Sequence, residues 1–505
     1  MTGITRKAIS SAICGSLRSK TVRSFKVMDV LRGANELQQK LNSEHATIQQ
    51  SLVSGRTNAK TNEPKKVLHL EIGQPETGAP KPVANAAVEA LTMPQASKDV
   101  MGYTDAFGIL ELREQIKQHY SDKYESSSGG GQNENHCYQV PDVSEIVVTT
   151  GSSSAFLLAF TACFDPDDTV AIASSGYPCY RNILQALGCG IATISINEEY
   201  KITAKELRQD IDRRTREYLP PIKGLILSSP SNPTGSMLSP LELRELCELC
   251  NEENIVFMSD EIYHGISYGN VPEATALQYA ADENSNHTNE NIIVINSFSK
   301  YYSMPGWRLG WMVVPPRFLQ AINKLQQNMF ISAPTISQNA ALRCWDDDTT
   351  VELETHLTKY RANREIILSR FGSDKNRDKK SNNETQSVLE GLSLETNVAP
   401  ADGGFYVYVD LGDDHVCMNN KEHKLDSIAL CKQLLEQCYV AFVPGIDFED
   451  PDCPKDLGRR RIRISYAGGT NSIRRAMDDF TEFWNTVWLP QIAEAKRDIG
   501  GGSFK

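Results

Sequence analysis

The chain has 505 residues, enough for two or more domains around large cores. Its 40% hydrophobic and 23% charged residues are an ordinary soluble composition. A net charge of −12 argues against the basic face of a nucleic-acid binder, and there is no run of about 18 apolar residues to span a membrane.

Residues 1–28 carry six basic side chains (Arg6, Lys7, Arg18, Lys20, Arg23, Lys26) and no acidic one. Ala8, Ile9, Ala12, Ile13, Ser16 and Leu17 recur at helical spacing. The stretch reads as an organelle transit peptide or a disordered basic leader, and it lacks the apolar centre of a secretory signal. A mitochondrial or plastid protein is expected if the leader is cleaved, a cytoplasmic one otherwise. Residues 29–100 are expected to form an N-terminal arm and part of a small domain, 101–335 a large domain, and 336–505 a small C-terminal domain. Polar stretches at 42–64, 125–136, 372–388 and, more briefly, 281–290 read as surface insertions that bury too little apolar surface to order by themselves.

Short apolar runs rich in β-branched residues predict strands at Glu145–Thr149, Thr169–Ala173, Gly224–Leu227, Ile255–Met258 and Ile292–Ile295. Helical patterns separate most of them: Ser154–Phe164, Tyr180–Leu187 ending at Gly188, and two that open with capping boxes, Thr203 with Glu206 and Ser239 with Glu242. The second of these boxes is followed by Pro240 at the first helical position. This alternation predicts an α/β fold, a three-layer and mostly parallel sheet flanked by helices. From about residue 340 the pattern changes to long helices and antiparallel-looking strands (Gly404–Asp410, Arg461–Tyr466), a smaller α+β domain. The twelve cysteines are scattered. Cys247 and Cys250 form a C-x-x-C with no second pair, in mid-helix, so core-facing thiols are expected rather than a metal site. The sequons at Asn286 and Asn383 have no secretory signal to go with them.

The chemistry lies in the segments just after the predicted strands. Glu145–Thr149 leads to Thr150-Gly151-Ser152-Ser153, Thr169–Ala173 to Tyr177, Gly224–Leu227 to Asn232, Ile255–Met258 to Asp260 and Tyr263, and Ile292–Ile295 to Ser297 and Lys300. Ligands of open parallel sheets bind at the carboxyl ends of strands, so these residues converge on one crevice. Each type matches a requirement of pyridoxal phosphate. A desolvated lysine amine forms a Schiff base and carries protons. A carboxylate, Asp260, keeps the pyridine nitrogen protonated. Asn232 and Tyr263 suit the ring's phenolate oxygen, and an aromatic face, Tyr177, suits stacking, with Tyr180 as its competitor. Gly151-Ser152-Ser153 turns into a helix N-terminus suited to a phosphate, with Ser297 and Arg308 to complete the cradle.

The motifs IGQPETGAP (72–80), GYTDAFGILELR (102–113), TTGSSSAF (149–156), SPSNPTG (229–235), SDEIYHG (259–265), SFSKYYSMPGWRLGW (297–311) and RIRISYAGG (461–469) resemble, in order, those of the class I/II aminotransferases, fold-type I pyridoxal-phosphate enzymes. The resemblance spans roughly residues 66–485. It implies that 101–335 is the cofactor-binding domain, that Lys300 is the Schiff-base lysine, and that Asp260, Asn232, Tyr263 and Tyr177 contact the ring. It implies further that Gly151, Ser152, Ser153, Ser297 and Arg308 hold the phosphate, joined by Tyr103 from the partner of a homodimer. Gly73 would lie against the substrate and Arg463 would grip its α-carboxylate. Alternation puts Arg461, Arg463 and Ser465 on one face, so that register stays open by two residues. Tyr103 has core packing as its alternative, and His264 is given no role. The expected reaction is ping-pong transfer of an amino group between an L-amino acid and a 2-oxo acid. A β-lyase or synthase on the same scaffold is the alternative, and a non-catalytic cofactor-sensing module ranks last. No metal is expected, and the preferred side chain is not legible.

Overall fold

A computed structural model describes residues 15–53, 65–92, 102–125, 138, 140–280, 290–372, 388–418 and 424–500. Seven strands build the central sheet: β1 (Ile146–Thr149), β2 (Thr169–Ala173), β3 (Gly190–Ile194), β4 (Ile222–Ser228), β5 (Val256–Asp260), β6 (Ile292–Ser297) and β7 (Gly310–Val313). Their order is β1-β7-β6-β5-β4-β2-β3, with only β7 antiparallel to its neighbours. Strands covered on both faces are apolar nearly throughout, and here successive residues feed alternate cores. Ile146, Val148, Phe257, Ile292 and Val294 point into one. Val147, Val256, Met258, Ile293 and Ile295 point into the other.

The helix Ser152–Cys163 begins two residues earlier than its apolar pattern, because Gly151 and the serines form its N-terminus. Both capping boxes are present at Thr203 and Ser239, and Gly188 ends its helix in the left-handed region. Cys247 and Cys250 are buried and unbridged in the helix Pro240–Glu252. The strands β3 (GIATI) and β7 (GWMV), absent from the sequence expectation, each open on a glycine, which weakens the strand pattern. β3 takes the sheet edge beside β2, and β7 is inserted between β1 and β6.

A second core joins Leu68 and Leu70 to residues between Tyr360 and Ala495. It carries β8 (Tyr406–Asp410), β9 (Val443–Pro444) and β10 (Arg461–Ser465), paired antiparallel with β10 in the middle. The helix Lys81–Thr92, grouped by sequence with the arm, instead packs Val83 and Ala87 into the large-domain core.

Two expectations at the N-terminus change. Residues 42–53 of the first polar stretch continue the helix Lys26–Val53. Val30, Ala34, Leu37 and Leu41 anchor that helix against Ala441, Leu435 and Tyr439, and a nucleated helix propagates through polar residues at little cost. Residues 54–64 of that stretch lie outside the described residues, as do 126–136, 281–289 and 373–387 of the other stretches. Of the basic leader, residues 15–28 are built onto the protein body. Arg23 exchanges backbone hydrogen bonds with the Asn182 amide, and the Val27 N–H donates to Asp447. Residues 1–14 lie outside the described residues.

Candidate active site

The carboxyl ends of β1, β2, β4, β5 and β6 deliver their loops to one edge of the sheet, and the small-domain strand β10 faces that edge. Lys300 follows β6, and its Nζ donates to the Gly73 carbonyl at 2.8 Å. It lies 5.5 Å from the Tyr263 ring centre and 5.6 Å from that of Phe405. Burial lowers its pKa from the ordinary lysine value. The Arg463 and Arg308 charges add to that lowering, while Tyr406 and Asp260 oppose it.

Asp260 ends β5 and is 1% exposed. Burial pushes its carboxyl up to about 7, despite donation from the Tyr180 hydroxyl and the Ile262 N–H. A carboxylate so placed is stabilised by a cation brought against it, which suits a protonated ring nitrogen. Tyr180, the competitor for stacking, therefore serves Asp260. The Tyr177 ring stands edge-on to Tyr180 at 5.6 Å and lies 6.3 Å from Phe25.

Tyr263 shares a hydrogen bond of 2.9 Å with Tyr406, a residue that strand periodicity alone does not single out. A side chain at Gly73 would collide with the Tyr406 hydroxyl, so the backbone at 73 approaches this pair as only glycine can. Arg463 stacks over Tyr406 at 4.3 Å and over Phe448 at 4.5 Å. Its guanidinium donates to Asn232 Oδ1 at 2.9 Å and to the Glu71 carbonyl at 2.7 Å. It is 3% exposed, its Nε is unpartnered, and no carboxylate among the described residues pairs with it. The open register has a geometric answer: Arg461, opposite Asp410, is engaged by Asp410 and Glu449.

Gly151 has φ +75° and caps the helix Ser152–Cys163, leaving the first-turn amides at Ser152 and Ser153 without intrahelical partners. A Cβ at Gly151 would lie 2.5 Å from a guanidinium nitrogen of Arg308, so this turn and Arg308 share one small space. Arg308 is itself left-handed at φ +51° and donates to the Pro305 carbonyl. The Ser297 hydroxyl lies 2.9 Å from Ser299 Oγ in its own turn and 3.4 Å from the Leu309 carbonyl just ahead of β7. Tyr103 is not brought to this crevice and is 84% exposed, which removes core packing as its explanation. The donors, the buried carboxylate and the depressed lysine together suit a phosphorylated pyridine aldehyde.

Beside Tyr177 and Asn232 opens a cavity of about 380 Å³ walled by Phe25, Phe448, Ile202 and Leu238, with Arg23 among its lining. Among the described residues no group of three or more His, Cys, Asp or Glu side chains is arranged to hold a metal ion, and no helix is long and apolar enough to cross a membrane.

The family model for aminotransferase class I and II matches residues 65–479. A valine–pyruvate aminotransferase of Mycobacterium tuberculosis is 37% identical over 84% of this chain and 91% of its own length. A (5-formylfuran-3-yl)methyl phosphate transaminase of Methanocaldococcus jannaschii is 32% identical over 93% of this chain and 99% of its own. A crystal structure of an aminotransferase from Mycobacterium tuberculosis superposes with a TM-score of 0.69 at 35% identity, covering 94% of this chain and 99% of that one.

Proposed function

Because the chain belongs to the class I and II aminotransferases, we propose that this crevice moves amino groups between an L-amino acid with an apolar side chain and a 2-oxo acid, with Lys300 holding pyridoxal phosphate. The observation that carries this reading is a part-buried lysine of lowered pKa, in one crevice with a buried carboxylate and an arginine that has no carboxylate partner among the described residues. Pyridoxal phosphate, when bound, supplies the electron sink for negative charge developing at the substrate α-carbon. Asp260 would hold a positive charge at the ring nitrogen. Asn232 and Tyr263 would donate to the phenolate oxygen, and Tyr177 would cover one face of the ring. The Ser152 and Ser153 amides, Arg308 and Ser297 would hold the phosphate. Arg463 binds the substrate α-carboxylate through a bidentate pair. Lys300 takes the proton from the α-carbon and returns it, a task that its lowered pKa favours.

The test is an absorbance spectrum of the purified protein with pyridoxal phosphate, before and after single amino acids are added. Conversion of the cofactor band to the pyridoxamine form supports transamination. Persistence of the band while pyruvate and ammonia accumulate makes the chain a β-lyase instead.

The side-chain preference rests on the cavity beside Tyr177, whose walls are largely apolar, and on the M. tuberculosis relative named for valine and pyruvate. Arg23 favours a second reading for one half-reaction. Lys26, Arg181 and Lys201 on the same lining are ion-paired, whereas Arg23 has no ion pair among the described residues. A dicarboxylate acceptor would place its distal carboxylate there. Arg23→Ala should raise KM for 2-oxoglutarate several-fold and leave that for pyruvate unchanged. Equal effects on both would remove this reading.

A homodimer is part of the proposal. Val88, Leu91, Leu110, Met329, Ile331 and Val351 are exposed apolar side chains in the single chain, along with Tyr103, and a second copy would cover them. Tyr103 then reaches the phosphate of the partner subunit's site. The basic leader supports import into a mitochondrion or plastid with removal of the leader, and cytoplasmic residence where it is kept. Since Arg23–Lys26 wall the cavity, a cut before Ser16 preserves that wall and a cut after residue 28 opens it. N-terminal sequencing of the mature protein distinguishes these.

A further inference from the structure

SDEIYHG holds two ionisable side chains with no task in the proposed transamination, Glu261 and His264. Both are buried. Glu261 Oε1 accepts from Ser259 Oγ at 3.0 Å, Thr275 Oγ1 at 3.1 Å and the Ala276 N–H at 2.9 Å. Its Oε2 has no hydrogen-bond partner among the described residues and lies 3.3 Å from His264 Nδ1. The Tyr124 hydroxyl is 2.8 Å from the same nitrogen and 3.1 Å from Glu273, which also takes the Gly265 N–H and pairs with Lys123. The other nitrogen, Nε2, lies 3.1 Å from the Ser229 carbonyl. A carbonyl only accepts, so Nε2 carries a proton and donates it. The imidazole is thus held by a carboxylate and a phenol on one side, and spends its other nitrogen on one backbone carbonyl.

That carbonyl opens the segment SPSNPTG. The Ser229 N–H donates to the Asp260 carbonyl at 3.2 Å, and its Oγ accepts from the Leu238 N–H at 3.0 Å. Three residues on, Asn232 Oδ1 accepts from Arg463, which leaves the Asn232 NH2 free to turn to the cofactor oxygen. We propose that His264 is a positioning residue: by donating to the Ser229 carbonyl it sets the Asn232 amide between Arg463 and the cofactor, with Glu261 and Tyr124 fixing the ring. The inference rests on the roles proposed for Asn232 and Arg463 in transamination. It connects a buried polar cluster behind the crevice to the two groups that read the cofactor oxygen and the substrate carboxylate. Buried side-chain networks of this kind act as units, so the consequence of breaking one link appears at the far end.

Two near-isosteric amides separate the nitrogens. His264→Gln places an N–H where Nε2 stood and keeps the bond to Ser229, whereas His264→Asn reaches only the Nδ1 position. The Asn variant should raise KM for the amino acid about tenfold, the cost of one buried hydrogen bond. It should also move upward the pH at which the bound cofactor's absorption titrates, because the phenolate loses a donor. The Gln variant should stay close to wild type in both. In an Asn232→Ala background, His264→Asn should add little to either measurement, since the residue it positions is gone. Equal behaviour of the Gln and Asn variants, or full additivity with Asn232→Ala, would overturn the proposal and leave His264 as core packing. If the Asn variant does not fold, His264→Ala is measured with and without free imidazole. Restoration of the titration supports the proposal and its absence overturns it. Failure of the underlying transaminase assignment looks different: the wild-type protein would then show no cofactor band to titrate, or a band that amino acids do not convert to the pyridoxamine form.

Discussion

Buried charge is arranged in opposite ways in two regions of this molecule. In the small domain, Arg461 meets Asp410 and Glu449 at 3.0 Å each, Arg460 adds a second contact to Asp410, and the Tyr408 hydroxyl donates to Glu449. In the crevice, Asp260 and Arg463 are as sequestered and Lys300 is part-buried, yet among the described residues none has an oppositely charged side chain at ion-pair distance. Arg461 and Arg463 stand two residues apart on one strand, so composition and exposure do not distinguish them. Partners do. A neutralised cluster holds a strand in place, whereas charges left open are stabilised only when a ligand brings the missing ones.

The largest effect is expected at the catalytic extreme of this contrast. Lys300→Ala should lower kcat by at least about 10^4-fold while the protein still binds pyridoxal phosphate noncovalently, checked by steady-state rates and by dialysis. Retained turnover would remove the lysine from its role. Arg463→Ala should cost on the order of 10^2- to 10^3-fold in kcat/KM, and Arg463→Lys somewhat less, because a lysine does not make the bidentate pair. Arg461→Ala should do the reverse: a loss of about 3–5 kcal/mol in unfolding free energy, with a much smaller loss of kcat in whatever folds. Comparable kinetic losses at both arginines would dissolve the distinction.

Proton linkage separates the two regions further, because they respond to pH with opposite sign. Burial holds Asp260 up near about 7, above its unfolded value. Such a group favours folding fully below its unfolded pKa, and that contribution is lost as pH rises through about 7. Cofactor-free protein should therefore lose melting temperature from about pH 4 to about pH 7. Asp260→Asn should flatten that slope. At Asp410, burial is outweighed by Arg460, Arg461 and the Gly412 N–H, so its pKa is lowered. It stabilises above its unfolded pKa and ceases to do so as pH falls through its lower folded value. Arg461→Ala should weaken that acid-side loss. The smallest effect is expected at Tyr103→Phe: if the chain pairs as proposed, about a tenfold weaker hold on the cofactor with no change in sedimentation, read by cofactor titration and sedimentation.

Much of the candidate site was legible because the fold brings residues that follow the strands into one crevice. Tyr177, Asn232, Asp260 and Lys300 each follow an apolar run whose length and β-branching are local properties. The capping boxes at Thr203 and Ser239 were legible for the same reason, since a cap closes within four residues. Tyr406 and the task of Tyr180 were not. Tyr180, legible only as an alternative to Tyr177 for stacking, meets Asp260 across 80 residues, and Tyr406, in no pattern that distinguishes it from core tyrosine, meets Tyr263 across 143.

The alternation of strand and helix, the motifs at the strand ends and their chemistry are all written in the order of residues, because each depends on neighbours in the chain. Three features instead arise from long-range packing: which arginine of RRRIRIS stays open, the wall that residues 23–26 give the cavity, and the reach of His264 to the loop bearing Asn232. These depend on which distant groups satisfy a buried charge or donor. That is settled when distant segments pack together, and no local pattern records it.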